Sequence, residues 1–154
     1  MKGHRVSRIP EISLFLVSFF LNFFWEVTET YFYVLKYSDF STMLYGWFHC
    51  TLGDVMITLG SFWFVSVVHW NRRWFLKSTG RSFAGFVILG VVYTLFSEWA
   101  NVRISKSWAY NEAMPVIPLL KVGLVPIIQW IVIPLVTILL LRHHSLLIYQ
   151  QAES

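Results

Sequence analysis

Four long apolar stretches alternate with short polar, cation-bearing ones, and each apolar stretch is long enough to cross a bilayer as a helix. The pattern predicts helices over about 12–35, 44–68, 82–104 and 122–141, with 105–121 as a short interfacial or re-entrant segment. The first stretch follows Lys2, Arg5 and Arg8, as a secretory leader would. Its length, and Trp25-Glu26 where a small-residue cleavage site belongs, make it an uncleaved first helix instead. Pro10 suits the entry to that helix, because its missing N–H would have no intrahelical partner anyway. The second stretch carries Gly46, Gly53 and Gly60 at steps of seven, a face expected to let another helix approach closely. Ala84, Gly85 and Gly90 bring small residues to the first half of the third. In 105–121, Trp108 and Tyr110 suit the headgroup layer, and 116–120, interrupted by Pro118, either dips into the membrane or leads into the last helix.

The cations set an orientation. Lys2, Arg5, Arg8, Arg72, Arg73, Lys77, Arg81 and Arg142 fall on one side of the four spans, and Lys36, Arg103, Lys106 and Lys121 on the other. The positive-inside rule then puts both termini in the cytoplasm, with Arg142-His143-His144 as a cytoplasmic stop. The expected fold class is an all-α integral membrane protein. It is a four-helix transmembrane bundle, N-in/C-in, forming a single membrane domain over 1–154, multi-pass in a membrane of the bacterial cytoplasmic type.

Composition sharpens this reading. Of 154 residues, 56% are apolar and 13% charged, and the mean hydropathy is +0.60. Soluble domains carry about 25% charged residues, so this chain lacks the polar surface to face water. The net charge of +4 would suit nucleic acid, but the cations sit at the ends of apolar runs and not on one amphipathic face, so nucleic acid is not an expected partner. The lone cysteine, Cys50, excludes an intrachain disulfide and a CxxC redox or zinc motif.

The candidate chemistry lies in polar residues inside the apolar runs, where such groups are expensive. Asn22 and Glu26 share a helix face at i and i+4, Glu29 extends it at i+7, and Glu98 and Asn101 share one at i and i+3. At about 1.5 Å per residue, Glu26 lies roughly 21 Å from the entry of the first helix and Asp54 about 15 Å into the second, with Glu98 in the outer third of the third helix. His49 and Gln129 fall between these levels. Four helices thus bring Asn22, Glu26, His49, Asp54, Glu98, Asn101 and Gln129 to one depth, as candidates for a shared ligand or proton site. Asp54 can reach neither surface, whereas Glu29 is expected to snorkel outward and Arg103 is placed to fold back and neutralise Glu98. Trp25, Trp47, Trp99 and Trp130 are candidates for an aromatic pocket wall around a flat or cationic ligand. Pro126 and Pro134 are expected to free the carbonyls of Val122 and Trp130 on either side of Gln129. His49 with Asp54 and Glu26 would be the weak candidates for a metal. No ExxH or HxxH spacing supports them, so no metal is expected and no cofactor is named.

Four short helices with a glutamate in the first and many aromatics resemble the small multidrug exporters in architecture, although those chains are shorter. The Trp-rich small bundle is similar to the tryptophan-rich sensory proteins that bind porphyrins and sterols, a family with five helices whose motifs are missing here. No family is assigned on these likenesses.

Three functions follow as expectations. The first is binding or transport of a small or amphipathic ligand with proton coupling, in an acid-rich, Trp-lined pocket in the outer half of the bilayer. The second is an intramembrane enzyme acting on a lipid or quinone through carboxylate and His49 acid–base or metal chemistry. The third is a non-catalytic subunit or assembly factor, its glycine face docking another membrane protein. Besides the lipid bilayer, the expected partners are a small-molecule or lipid-like ligand and a second copy of the chain or another membrane protein.

Overall fold

A computed structural model describes residues 10–34 and 39–153, with side chains as far as Ser145. Lys2, Arg5, Arg8, Lys36 and Ser38 lie outside the described residues. Four helices long and apolar enough to cross a membrane form an all-α bundle: α1 (Pro10–Glu29), α2 (Phe40–Val68), α3 (Gly80–Trp99) and α4 (Leu124–Glu153). This is the architecture of a multi-pass membrane protein. Each helix packs against its two sequence neighbours around a ring, with α1 closing against α4.

The ends of the helices differ from the sequence reading in ways that matter for the site. A 3₁₀ turn, Thr30–Phe32, continues α1, and a π-turn, Ala100–Ile104, continues α3. The segment 105–121 neither spans nor dips as a helix. Its backbone pairs with the end of α1, where Val34 donates to the Ala109 carbonyl at 2.8 Å and Asn111 to that of Phe32 at 3.0 Å. It then forms a small antiparallel hairpin of β1 (Val116–Ile117) and β2 (Val122–Gly123). Together these segments cover one end of the bundle, called here the capped end. α4 starts at Leu124, so Pro126 sits in its first turn, and the expected freeing of the Val122 carbonyl does not arise. Pro134 is inside the helix, as expected, and deprives the Trp130 carbonyl of its i+4 donor. The helix also continues past Arg142-His143-His144 to Glu153, so these residues end the apolar span and not the helix.

At the opposite, basic end the connections are tied by charge. Arg72 pairs with Glu11 at 2.8 Å and lies over the Trp63 ring. Arg142 donates to the Leu76 carbonyl at 3.1 Å. Thr79 and Ser82 form a capping box that starts α3.

The interior is divided along the bundle axis. Near the basic end Leu14, Phe62, Val65, Trp74, Phe86, Ile138 and Leu141 form the apolar core. Towards the capped end the buried stripes turn polar, through Ser18 and Asn22 to Glu29 on α1 and through Phe86, Gly90 and Thr94 to Glu98 on α3. Large apolar side chains such as Phe20, Phe24, Met56, Phe64, Val92 and Leu139 face outward, as a lipid-facing surface requires.

The glycines do not all serve packing. Gly53 and Gly60 have nothing within 4 Å of where a Cβ would stand, so the expected close helix approach along that face is absent at both. Gly90 is the position where space is decisive, since a Cβ there would stand 1.8 Å from Cε3 of buried Trp130. Gly90→Ala is expected to destabilise the protein by roughly 1–3 kcal/mol through overpacking. Thermal unfolding in detergent would register this, and replacing Trp130 by Leu in the same chain should restore much of the loss.

Asp39 accepts from the Thr42 amide at 3.0 Å and caps α2. The hydroxyls of Ser41 and Thr42, then the Thr42 amide, lower its carboxyl from 3.8 to about 2. A depressed carboxyl stabilises fully above its ordinary range and loses that contribution as pH falls through about 2. The gap in melting temperature between the native protein and Asp39→Ala should therefore be widest near neutral pH and close in acid.

Candidate functional site

The polar half of the interior surrounds a cavity of about 350 Å³, lined by all four helices and the segment after α3. Its deepest polar contact comes from Gln129, which the first turns of α4 carry inward beside Pro126 and Trp130. The buried amide nitrogen donates one hydrogen to Asn22 Oδ1 at 2.9 Å and the other to Asp54 Oδ2 at 2.7 Å. Asn22 in turn donates to the Ser18 carbonyl one turn back on α1, at 2.8 Å. The carboxyls of Asp54 and Glu26 are also neighbours within the cavity. An ionised carboxylate has no hydrogen to donate, so two carboxyls so placed can bond only when one of them carries a proton.

A second layer lies nearer the capped end. Tyr33 Oη lies 2.9 Å from Glu29 Oε1 and 3.2 Å from Glu98 Oε2. Tyr110 also donates to Glu98 Oε2, while its own oxygen accepts from the Gly123 amide at 2.9 Å. Burial first, and then Glu98, push the Tyr110 hydroxyl above the ordinary phenol range, so it stays a donor. The Tyr33–Tyr110 pairing that bridges the two connecting segments thus also carries the hydroxyls that satisfy two buried glutamates. At the edge of this layer Trp47 donates to Thr30 Oγ1 at 2.7 Å and is fixed as a wall.

Of the residues singled out from the sequence, Glu26, His49, Asp54, Glu98, Asn101 and Gln129 line the cavity, and Asn22 holds Gln129 from behind. Trp47 and Trp130 line it as well. Trp25 and Trp99 do not: Trp25 lies partly buried outside the lining and Trp99 is 46% exposed on the outer surface. Trp108 takes the place foreseen for them. Asn101, carried on the π-turn, is spent locally on the Ser97 carbonyl at 2.9 Å. His49 is exposed at the rim and stacks on Tyr45, with ring centroids 5.8 Å apart. Among the described residues no three His, Cys, Asp or Glu side chains converge as a metal site would require, His49, Asp54 and Glu26 included.

Two further expectations are corrected. Glu29 does not snorkel; it is 5% exposed, because Tyr33 reaches it within the bundle. Glu98 takes its donors from Tyr33 and Tyr110, with Arg103 standing exposed. Tyr33 was visible as the continuation of the stripe from Asn22 through Glu26 and Glu29, four residues beyond the last. Tyr110 and Trp108 carried no such signal, since they reach the site only when the segment after α3 folds back.

Three buried polar atoms of the lining residues have no hydrogen-bond partner. One is Glu29 Oε2, for which the indole N–H of Trp25 lies near without completing a bond. The others are the indole N–H groups of Trp108, which lies near Glu98, and of Trp130. The four apolar helices thus define the fold as that of a multi-pass membrane protein. No protein-family model, no curated protein and no solved structure matches the chain.

Tyr33→Phe removes the single hydroxyl between Glu29 and Glu98 while keeping the ring. The expected loss is about 1–3 kcal/mol of stability, the cost of leaving buried acceptors unmade. In a double-mutant cycle with Glu29→Gln, strictly additive melting shifts would refute the bridge.

Proposed function

We propose that the cavity binds or carries a small or amphipathic molecule and that proton exchange at Glu26 and Asp54 accompanies its loading. The observation that carries this reading is the adjacency of the Glu26 and Asp54 carboxyls, with Gln129 fixing one side of it. Two carboxyls sharing one proton form a site whose charge changes when a ligand separates them or replaces the proton. Glu29 and Glu98 extend the acidic lining, and Trp47, Trp108 and Trp130 supply apolar wall, the mixture common in small-molecule sites. The unpartnered Glu29 Oε2 and Trp130 N–H add an acceptor and a donor that a ligand would satisfy.

The proposal includes an orientation. The basic end faces the cytoplasm with both termini, the chain forms one membrane domain, and the cavity lies in the outer half of the bilayer, supported by the excess of Lys and Arg at that end. Acid–base catalysis centred on His49 has weaker support, because that imidazole stacks on Tyr45 at the exposed rim.

Infrared spectroscopy of the reconstituted protein should show a protonated-carboxyl C=O band that disappears in both Glu26→Gln and Asp54→Asn. A band untouched by either substitution would sink the shared-proton reading. Native mass spectrometry from mild detergent should find a reproducible small adduct on the native protein that Asp54→Asn lacks. Bare protein across several lipid backgrounds would count against ligand binding.

A further inference from the structure

We infer that the cavity takes the cationic head of a single-chain amphiphile, an ammonium or guanidinium group, which enters sideways from the bilayer through a slot between α2 and α3. The inference rests on the binding role proposed for the cavity and adds the ligand's chemistry and its route.

The route follows from where α2 and α3 part. Towards the basic end they are in contact, with Val65 Cγ2 3.7 Å from the Cβ position of Gly85, and Trp74 and Phe62 packed against Phe86. Above that seal the cavity separates them. Gly53 on α2 lines it, is exposed, and has nothing within 4 Å of its Cβ position. Tyr93 on α3 lines it and is 51% exposed. Each lies thirteen residues from its helix start, Gly53 counted from the capped end and Tyr93 from the basic end, so both stand about 20 Å along their helices and near mid-membrane. Exposed members of the same lining continue through His49 to Val34 and Ser107 at the capped end. The opening is therefore a slot running from the interface into the hydrocarbon. A water-soluble solute needs only its upper end, whereas an amphiphile uses its whole length, the head sliding inward while the chain stays in lipid.

The head's chemistry follows from the lining. Glu26, Glu29, Asp54 and Glu98 face one cavity, and among the described residues no Lys or Arg lines it. Four carboxyls at this depth favour a cation or a group rich in donors and repel an anion. Glu29 Oε2, on a side chain 95% buried, supplies an acceptor with nothing bound to it. Trp47, Trp108 and Trp130 add indole rings to the same lining, the side chain that attracts a cation best. At about 350 Å³ the cavity is at the small end of ligand sites, suited to a head group and the first part of one chain.

The test uses the full chain in phosphatidylcholine nanodiscs near neutral pH. Saturable binding of radiolabelled dodecylamine, dodecanoate and ethylamine would be measured after subtraction of empty discs. Dodecylamine should bind at least tenfold more tightly than either dodecanoate or ethylamine. Gly53→Phe, which fills the slot, should weaken dodecylamine binding tenfold or more. Gly60→Phe, two turns away and equally open but outside the lining, should leave it unchanged and so controls for general damage to α2. Dodecanoate binding as well as the amine would overturn the cationic head. Ethylamine binding as well would overturn the requirement for a chain, and undiminished dodecylamine binding by Gly53→Phe would overturn the route; both leave the cavity itself as a binding site. Absence of saturable binding by all three would overturn the whole inference, while the infrared band of the Glu26–Asp54 pair would still report separately on the shared proton.

Discussion

The polar half of the bundle depends on one amide. Gln129 has two N–H hydrogens to place in a region without bulk water, and it places one on α1 through Asn22 and one on α2 through Asp54. Left unmet in hydrocarbon, each would cost several kcal/mol. The three helices are therefore held at one rotation and one depth. That register presents Asp54 to Glu26, and it sets Trp130, one residue on, in the space that Gly90 leaves on α3. Apolar packing alone would allow these helices to slide, because lipid chains compete for the same contacts.

Most of the fold was legible because the bilayer imposes so strong a rule. A span must be long, apolar and internally hydrogen-bonded, and four stretches of this chain meet that condition. The segment after α3 was harder to read. Its structure comes from backbone pairing with the end of α1, a contact between residues far apart in sequence that no local pattern announces. The glycines of α2 misled for a related reason. Steps of seven place small residues on one face, but only the neighbouring helix decides whether that face is packed or open.

The site was legible in depth and incomplete in partners. Rise per residue was enough to bring Glu26, Asp54, Glu98 and Gln129 to one level, and they do line one cavity. What depth cannot supply is direction around each helix axis, which is why Trp99 was placed on the wall and faces outward instead. Nor does it weigh competing donors. Glu29 and Glu98 have a surface to reach and a nearby Arg103, yet the hydroxyls of Tyr33 and Tyr110 hold both inside. A phenol can satisfy a carboxyl within the bundle without bringing in another charge to desolvate.

The apolar core near the basic end has an electrical consequence. Leu14, Phe62, Phe86 and their neighbours fill that half of the interior, where the buried polar groups are hydroxyls such as those of Ser61, Ser66 and Thr137, so it acts as a dielectric barrier. Much of any transmembrane voltage must then fall across this plug. Asp54 lies about midway along α2. A proton moving between the capped surface and that carboxyl would cross part of the field, up to roughly half, worth on the order of 1 kcal/mol per 100 mV. The occupancy of any proton carried at that depth would thus depend on membrane potential as well as on acidity, and the same bundle read at zero voltage would show only one of the two.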